Sequence, residues 1–140
     1  MQNTHFIGID VSKEKLDYCL LANNKVLEQG EIENSSSKIN QLVRDFRTKK
    51  IPLKTTLWCL ENTGVYSNLV LKALYKKSLN VWLENPMQIK MSQGMTRSKS
   101  DKIDAERIAK YAMIHEKNAR LYVPKREIIN RLQKLQGTRN

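Results

Sequence analysis

The first third of the chain alternates apolar runs with polar breaks, a pattern that predicts short strands. Residues 5–11, 15–22 and 25–33 each carry enough aliphatic and aromatic side chains to form a strand. Asn23-Asn24 lies between the second and third runs and is typical of a tight turn. We therefore expect three antiparallel strands at the start of the chain.

Helical spacing of apolar residues begins after the third run. Ser35, Ser36 and Ser37 offer a candidate N-cap. The pair Ile51-Pro52 ends the helix, because proline disfavours helical geometry in the residue before it. Between these signals the apolar positions that share one helix face are Ile39, Leu42, Val43 and Phe46.

Two further strands are predicted in the middle of the chain. Residues 55–60 form a continuous apolar run, as expected of a central strand that is buried on both faces. Residues 80–84 form a fifth strand. A second helix lies between them, and its face is marked by Leu69, Val70, Ala73 and Leu74.

The segment after the fifth strand is predicted to contain a loop and a long helix. Pro86 opens a short helix, and residues 92–99 form a polar, basic loop. Ser100 or Asp101 can cap a helix that runs to about His115. Its inward positions are predicted to be Ile103, Ile108, Tyr111 and Ala112. The order βββαβαβα predicts an α/β fold in which helices flank a mixed five-stranded sheet on both faces.

The charge of the chain is strongly positive and unevenly distributed. The formal net charge is +11, and the length of 140 residues suits one domain. Residues 1–85 carry 12 basic and 9 acidic groups, whereas residues 86–140 carry 13 basic and 5 acidic groups. Lys and Arg displace the counterions that condense on phosphates, so this cationic region favours a polyanionic partner. The alternative is a basic surface with no specific partner.

The composition also limits the compartment and the metal chemistry. No apolar run is long enough to span a bilayer and no signal peptide is evident, so the cytoplasm is expected. Cys19 and Cys59 lie in predicted strands and are expected to be buried free thiols. With only two histidines, the sequence has no zinc-type ligand cluster. A metal here would take oxygen ligands, which favours Mg²⁺ or Mn²⁺.

Two acids terminate predicted strands. Asp10 is the one charged residue in the apolar run 6–11, and a lone buried carboxylate is costly unless a cation compensates it. Gly8 precedes it by two positions on the same strand face and permits close approach of another group. Glu61 directly follows the strand at 55–60, at the end where open α/β sheets bind ligands. The two acids meet if the first and fourth strands are neighbours.

A second pair of acids lies at a predicted helix start. Asp101 and Asp104 are three residues apart and therefore share one face of a helix. Each acid alone has a structural explanation, because Asp is also favoured at helix N-termini. Two acids at strand ends together with an acid pair on a helix are what a site for two Mg²⁺ ions requires.

Residues around these acids are candidates for contacts with nucleic acid. Tyr66, close after Glu61, can stack on a base or sugar, although packing at a helix start explains it equally well. The basic candidates for phosphate contacts are Lys13, Arg97, Lys99, Lys102 and Arg107, whose alternative role is an exposed charged surface.

Three motifs resemble a known family. GIDVSK at 8–13, ENTGVY at 61–66 and RSKSDKIDAERIA at 97–109 are similar to the DEDD transposases of bacterial insertion sequences, which are Piv-invertase-like, bridge-RNA-guided recombinases. The resemblance implies a RuvC-like domain of RNase H-like fold whose acidic tetrad is Asp10, Glu61, Asp101 and Asp104. It also implies two Mg²⁺ ions, cleavage and strand transfer in DNA, a structured guide RNA, and dimers that form a tetrameric synapse.

The same resemblance predicts a division of the chain. Residues 1–118 are expected to form the RuvC-like catalytic domain. Residues 119–140 carry an apolar stripe from Ile128 to Leu135 and are expected to begin a helical linker. The family has a further C-terminal domain with a serine nucleophile, which lies outside these 140 residues. We therefore expect this chain to hold the metal-binding half of a composite site.

Three alternatives remain at this stage. Sugar kinases and other actin-like ATPases open with a similar strand but need Gly-rich phosphate loops, and the chain has five glycines and no such loop. A stand-alone nuclease such as a Holliday junction resolvase would use the same fold and acids. A non-catalytic nucleic-acid-binding module would not need the acids at all.

Overall fold

A mixed five-stranded sheet forms the centre of the molecule. The computed structural model describes residues 2–62, 64–86, 88–89 and 101–124, and of residues 101–103 only the backbone. The strand order is β3-β2-β1-β4-β5, in which β1 pairs antiparallel with β2 and β2 with β3, while β1–β4 and β4–β5 are parallel. The strands are β1 His5–Val11, β2 Lys15–Ala22, β3 Lys25–Glu33, β4 Thr56–Glu61 and β5 Asn80–Glu84.

In the described part of the chain, three α-helices of nine or more residues cover the two faces of the sheet. They are α1 Ser36–Thr48, α2 Asn68–Lys76 and α3 Asp101–Ile114. The buried residues of α1 and α2 share one core with alternate positions of the strands, and those of α3 share the other core with the remaining positions. The predicted order and the mixed sheet with helices on both faces are therefore confirmed.

Strand alternation divides the apolar side chains between the two cores. On β1, Ile7 and Ile9 belong to the core under α1 and α2, whereas Phe6 belongs to the core under α3. On β4, Trp58 packs against Phe46 of α1, with 5.9 Å between ring centroids. A period of two places neighbouring residues on opposite faces, so each central strand is buried on both sides.

Local signals explain where α1 and the β2–β3 turn form. The Ser35 side chain accepts a hydrogen bond from the Lys38 backbone N–H at 3.4 Å and caps α1. Asn23 and Asn24 both have positive φ angles, 53° and 60°, as the predicted tight turn requires. Asparagine tolerates this conformation better than most residues.

The predicted buried face of α2 is partly wrong. Leu69 is 42% exposed, and Leu71 is buried in its place beside Val70, Ala73 and Leu74. A single 3₁₀ turn at Gly64–Ser67 precedes the helix. Successive helix positions are about 100° apart, so the face centred on Val70 and Leu74 includes Leu71 and leaves Leu69 outside it.

The segments that follow β5 and α3 return to the sheet. Pro86, Gln88 and Ile89 are helical, and Ile89 is buried; the predicted loop at 92–99 lies outside the described residues. After a 3₁₀ turn at Glu116–Asn118, the chain up to residue 124 is not helical. Leu121 there forms an antiparallel bridge with Trp82. The linker helix expected further on also lies outside the described residues.

No helix in the part of the chain that the structure describes is long and apolar enough to cross a membrane.

Candidate metal centre at the carboxyl end of the central strands

Asp10 and Glu61 lie side by side at the ends of two adjacent parallel strands. The β1–β4 register runs to the pair Ile9 and Leu60, and Asp10 and Glu61 are the next residues of the two strands. Both acids are half-buried. Residues at matching positions of neighbouring strands point to the same face, so the two carboxylates share the face that α3 covers. The predicted proximity of β1 and β4 is confirmed.

Two further acids extend this pair into a row across four strands. Asp17 on β2 pairs directly with Asp10, and Glu84 on β5 pairs directly with Glu61. Asp17 is only 2% exposed and lies 3.7 Å from the Lys15 ammonium group. The sequence analysis missed both residues. Glu84 ends a buried strand just as Glu61 does, so the same rule would have found it.

Glu84 is held in place by two donors. The Tyr111 hydroxyl on α3 donates a hydrogen bond of 2.6 Å to Glu84 Oε2, and the Asn85 backbone N–H donates one of 2.8 Å to Oε1. Burial and then this hydrogen bond raise the pKa of the Tyr111 hydroxyl, so it stays a donor. A cavity of about 610 Å³ opens beside Glu84 and is lined partly by Asn62 and Arg120.

The pKa of the Cys59 thiol reflects the negative charge at this edge. Burial raises its pKa, and the nearby charges of Glu84 and Glu61 raise it further. The acids at this edge offer carboxylate oxygens, the donors that suit Mg²⁺ or Mn²⁺. Both cysteines are free and buried, as predicted.

Gly8 brings α3 onto β1. A Cβ atom at Gly8 would overlap the Ala105 carbonyl oxygen and the Ala109 backbone nitrogen, so only glycine permits this close packing. At the other end, Glu116 beyond α3 accepts hydrogen bonds from the Asn3 backbone N–H and side chain. The helix therefore runs antiparallel to β1 and starts at the edge where β1 ends.

This direction places the two helix acids at the same edge as Asp10. Asp104 directly precedes Ala105, is partly buried, and lies 3.6 Å from the Arg107 guanidinium group. Asp101 begins α3, but its side chain lies outside the described residues. Among the side chains that the structure describes, no three acids, histidines or cysteines form a group tight enough to hold a metal ion. The acids are thus brought to one edge without being closed into a ligand cage.

The predicted nucleic-acid contacts fall around this edge where they can be located. Lys13 is exposed in the β1–β2 turn, and Tyr66 is 43% exposed in the 3₁₀ turn after β4. Arg107 lies on α3 beside Asp104. Arg97 and Lys99 lie outside the described residues, as does the side chain of Lys102.

Comparison with known proteins places these features in a family. A sequence profile described as a transposase, of the DEDD type and the IS110 group, matches residues 7–140. No curated protein matches the chain in sequence.

Solved structures show the same fold. RuvC of Thermus thermophilus in complex with a Holliday junction substrate is similar with a TM-score of 0.65 and 16% identity, covering 86% of this chain and all of that one. A second T. thermophilus RuvC structure has a TM-score of 0.61 and 17% identity, covering 85% of this chain and 99% of that one. A Bacteroides thetaiotaomicron protein with an actin-like ATPase fold has a TM-score of 0.50 and 18% identity, covering 61% of this chain and 34% of that one. The sheet and its helices therefore form the expected RNase H-like, RuvC-like fold.

Proposed function

The chain belongs to the DEDD transposases of the IS110 group, and from this membership we propose that it is a metal-dependent catalytic domain that cleaves and transfers DNA phosphodiesters. The observation that carries the proposal is the position of Asp10 and Glu61 at the ends of adjacent parallel strands, on the face that α3 covers. Carboxyl ends of strands are where open α/β sheets place their ligands.

The acids fit a pair of hard divalent cations. Asp10 and Glu61 are fixed on rigid strands, and Asp104 is carried to the same edge by the packing of α3 on Gly8. Asp101 lies one helical turn before Asp104 and is the fourth proposed ligand. The four carboxylates would hold two Mg²⁺ ions and balance their charge. Bound there, the ions would supply Lewis-acid stabilisation of an in-line phosphoryl displacement.

The surrounding residues would bind and orient the DNA. Lys13 is exposed beside the proposed site and can contact the phosphate backbone. Tyr66 presents an exposed ring that can stack on a base. Arg107 is proposed to contact a phosphate as well. The remaining proposed phosphate contacts are Arg97, Lys99 and Lys102.

Further parts of the proposal concern the assembly. A structured guide RNA, a homodimer and a tetrameric synapse are proposed from the family resemblance, and the net charge of +11 supports a polyanionic partner. Residues 1–118 are the proposed catalytic domain, and residues 119–140 are the proposed start of a linker. The structure adds that residues up to Tyr122 pack on the sheet, because the Tyr122 backbone N–H donates to the Val81 carbonyl.

A second candidate function is a stand-alone junction resolvase. It is favoured by the likeness to T. thermophilus RuvC, which extends over the whole of that chain. The two functions differ in what the 140-residue chain does alone. A resolvase cleaves four-way DNA junctions with Mg²⁺ or Mn²⁺, whereas a transposase domain that needs further residues binds metal and DNA without resolving the junction.

Substitution of the strand acids tests the metal site. We expect Asp10→Asn and Glu61→Gln to weaken Mn²⁺ binding to the 140-residue chain by roughly tenfold or more, measured by titration calorimetry. DNA binding should be retained or become tighter, because each change removes a negative charge. Asp45→Asn on the exposed side of α1 serves as the control and should leave Mn²⁺ binding unchanged. Normal Mn²⁺ binding by both strand variants would contradict the proposal.

A further inference from the structure

Asn34 connects the two turns that follow the acid-bearing strands. It lies between the end of β3 and Ser35, the N-cap of α1. Its side-chain Nδ2 donates a hydrogen bond of 2.9 Å to the Ser12 carbonyl and another of 3.1 Å to the Tyr66 carbonyl. Ser12 follows Asp10 by two residues, and Tyr66 lies in the turn that follows Glu61. One side chain thus joins the chain beyond β1 to the chain beyond β4.

The chemistry of this contact requires an amide. Both partners are carbonyl oxygens, so the group between them must donate two hydrogen bonds from one atom. The NH₂ group of asparagine does so, whereas an aspartate of the same shape offers acceptors alone. An acceptor placed against two carbonyls would leave all three groups without a donor, which is costly in a partly buried site.

Asn34 is itself fixed by the backbone around it. Its own N–H donates a hydrogen bond of 2.9 Å to the Glu14 carbonyl in the β1–β2 turn. Its Oδ1 atom is fully buried, and no donor among the described residues reaches it. Among the described residues, the hydrogen bonds of this side chain are therefore made by its NH₂ group and not by its oxygen.

We propose that Asn34 is a positioning residue that fixes the separation of the Asp10 and Glu61 strand ends. Among the described residues, the parallel pairing of β1 with β4 ends at Ile9 and Leu60, one position before the two acids. Asn34 supplies a link beyond that point, from the other side of the two turns. The inference rests on the proposed metal site, because a fixed distance between these acids matters for ions that both acids bind.

The test compares two Asn34 variants with a matched destabilised control. Asn34→Ala removes both donors, and Asn34→Asp keeps the shape while replacing the donors by acceptors. Leu42→Ala destabilises the core under α1 through a buried residue that makes none of the Asn34 hydrogen bonds. Each variant of the full 140-residue chain is examined for Mn²⁺ affinity by calorimetry and for amide hydrogen exchange by mass spectrometry, under conditions where circular dichroism shows a folded protein.

A positioning role predicts effects confined to the two turns and the metal. Hydrogen exchange in segments 11–15 and 62–68 should accelerate at least severalfold in both Asn34 variants and not in Leu42→Ala. Mn²⁺ affinity should fall roughly tenfold in both, the lower end of what lost support around metal ligands costs. Asn34→Asp is the sharper variant, because its added negative charge alone would strengthen Mn²⁺ binding.

Three results would overturn the inference in distinguishable ways. Unchanged exchange in both turns shows that Asn34 does not hold them. Faster exchange with unchanged Mn²⁺ affinity shows that the turns loosen without moving the acids. Equal loss of affinity in Leu42→Ala shows a general effect of stability. If the unsubstituted chain binds no Mn²⁺, the proposed metal site fails, and the exchange data still decide whether Asn34 joins the turns.

Discussion

At the residue scale, the candidate site is a matter of strand register. Asp10 and Glu61 could be identified from the sequence because each is a charge at the end of an apolar strand. Asp17 could not, since its place in the site becomes visible only when the pairing of β2 with β1 puts it opposite Asp10. A shift of one residue in the pairing would have sent either partner to the opposite face.

Tyr111 and Glu84 provide a prediction at this scale. Tyr111→Phe removes the hydroxyl that donates to Glu84 Oε2, leaving a half-buried carboxylate without that donor. We expect a loss of about 1–2 kcal/mol in the free energy of unfolding, measured by urea denaturation. Tyr75→Phe is the control. The Tyr75 ring packs against Tyr122, and among the described residues the Tyr75 hydroxyl makes no hydrogen bond that the change would remove. Equal stability of the two variants would show that the Glu84 hydrogen bond contributes nothing.

At the scale of elements, the placement of α3 decides whether the helix acids reach the strand acids. The sequence predicted the helix at nearly the observed bounds and predicted that Gly8 admits a close neighbour. It could not predict which group approaches Gly8, because a helix pattern carries no information about which strand it crosses. In the structure, the backbone of Ala105 and Ala109 approaches Gly8, and this contact places Asp104 beside the end of β1.

A methyl group at Gly8 should therefore disturb α3. We expect Gly8→Ala to reduce the free energy of unfolding by about 3 kcal/mol, because the overlap is with backbone atoms that cannot rotate away. Gly30→Ala is the matched control. Its added Cβ would meet the tip of the Tyr18 side chain at 2.7 Å, and Gly30 lies on the edge strand β3, which can shift. Equal losses in the two variants, measured by urea denaturation, would argue against the close packing of α3 on β1.

The contact between β3 and the end of α1 gives a pH dependence. Burial pushes the pKa of Glu28 up, but hydrogen bonds from Lys49 and Tyr18 outweigh it and hold the pKa below its ordinary value of 4.5. A depressed carboxyl pKa stabilises the folded state above the unfolded pKa, and this contribution is lost as the pH falls through the folded pKa. We expect Glu28→Gln to be less stable by about 0.5–1 kcal/mol at pH 7.

The difference between Glu28→Gln and the unsubstituted chain should shrink as the pH falls below the ordinary carboxyl pKa of 4.5 towards the lower pKa of the folded state. Thermal unfolding at a series of pH values measures it. A difference that stays constant from pH 7 to pH 3 would show that ionisation of Glu28 is not what stabilises this contact.

At the scale of the whole molecule, strand count, strand order along the chain and helix positions were accessible from apolar periodicity. The order of the strands within the sheet was harder to predict. The proposed site needs β1 and β4 to be neighbours, but only the observed pairing shows that β4 lies between β1 and β5. The exposed Leu69 marks the limit of periodicity, because the apolar run Leu69-Val70-Leu71 does not decide which of the two leucines faces the core.

The central claim is that acids from two strands and one helix hold divalent cations together. The most direct measurement is a crystal structure of the chain soaked with Mn²⁺, with the ions located by anomalous scattering. The account predicts one or two ions at the carboxyl ends of β1 and β4, bound by carboxylate oxygens of Asp10, Glu61 and Asp104. Ions bound elsewhere, or an edge that stays empty at saturating Mn²⁺ while Asp104 points away from Asp10, would contradict it.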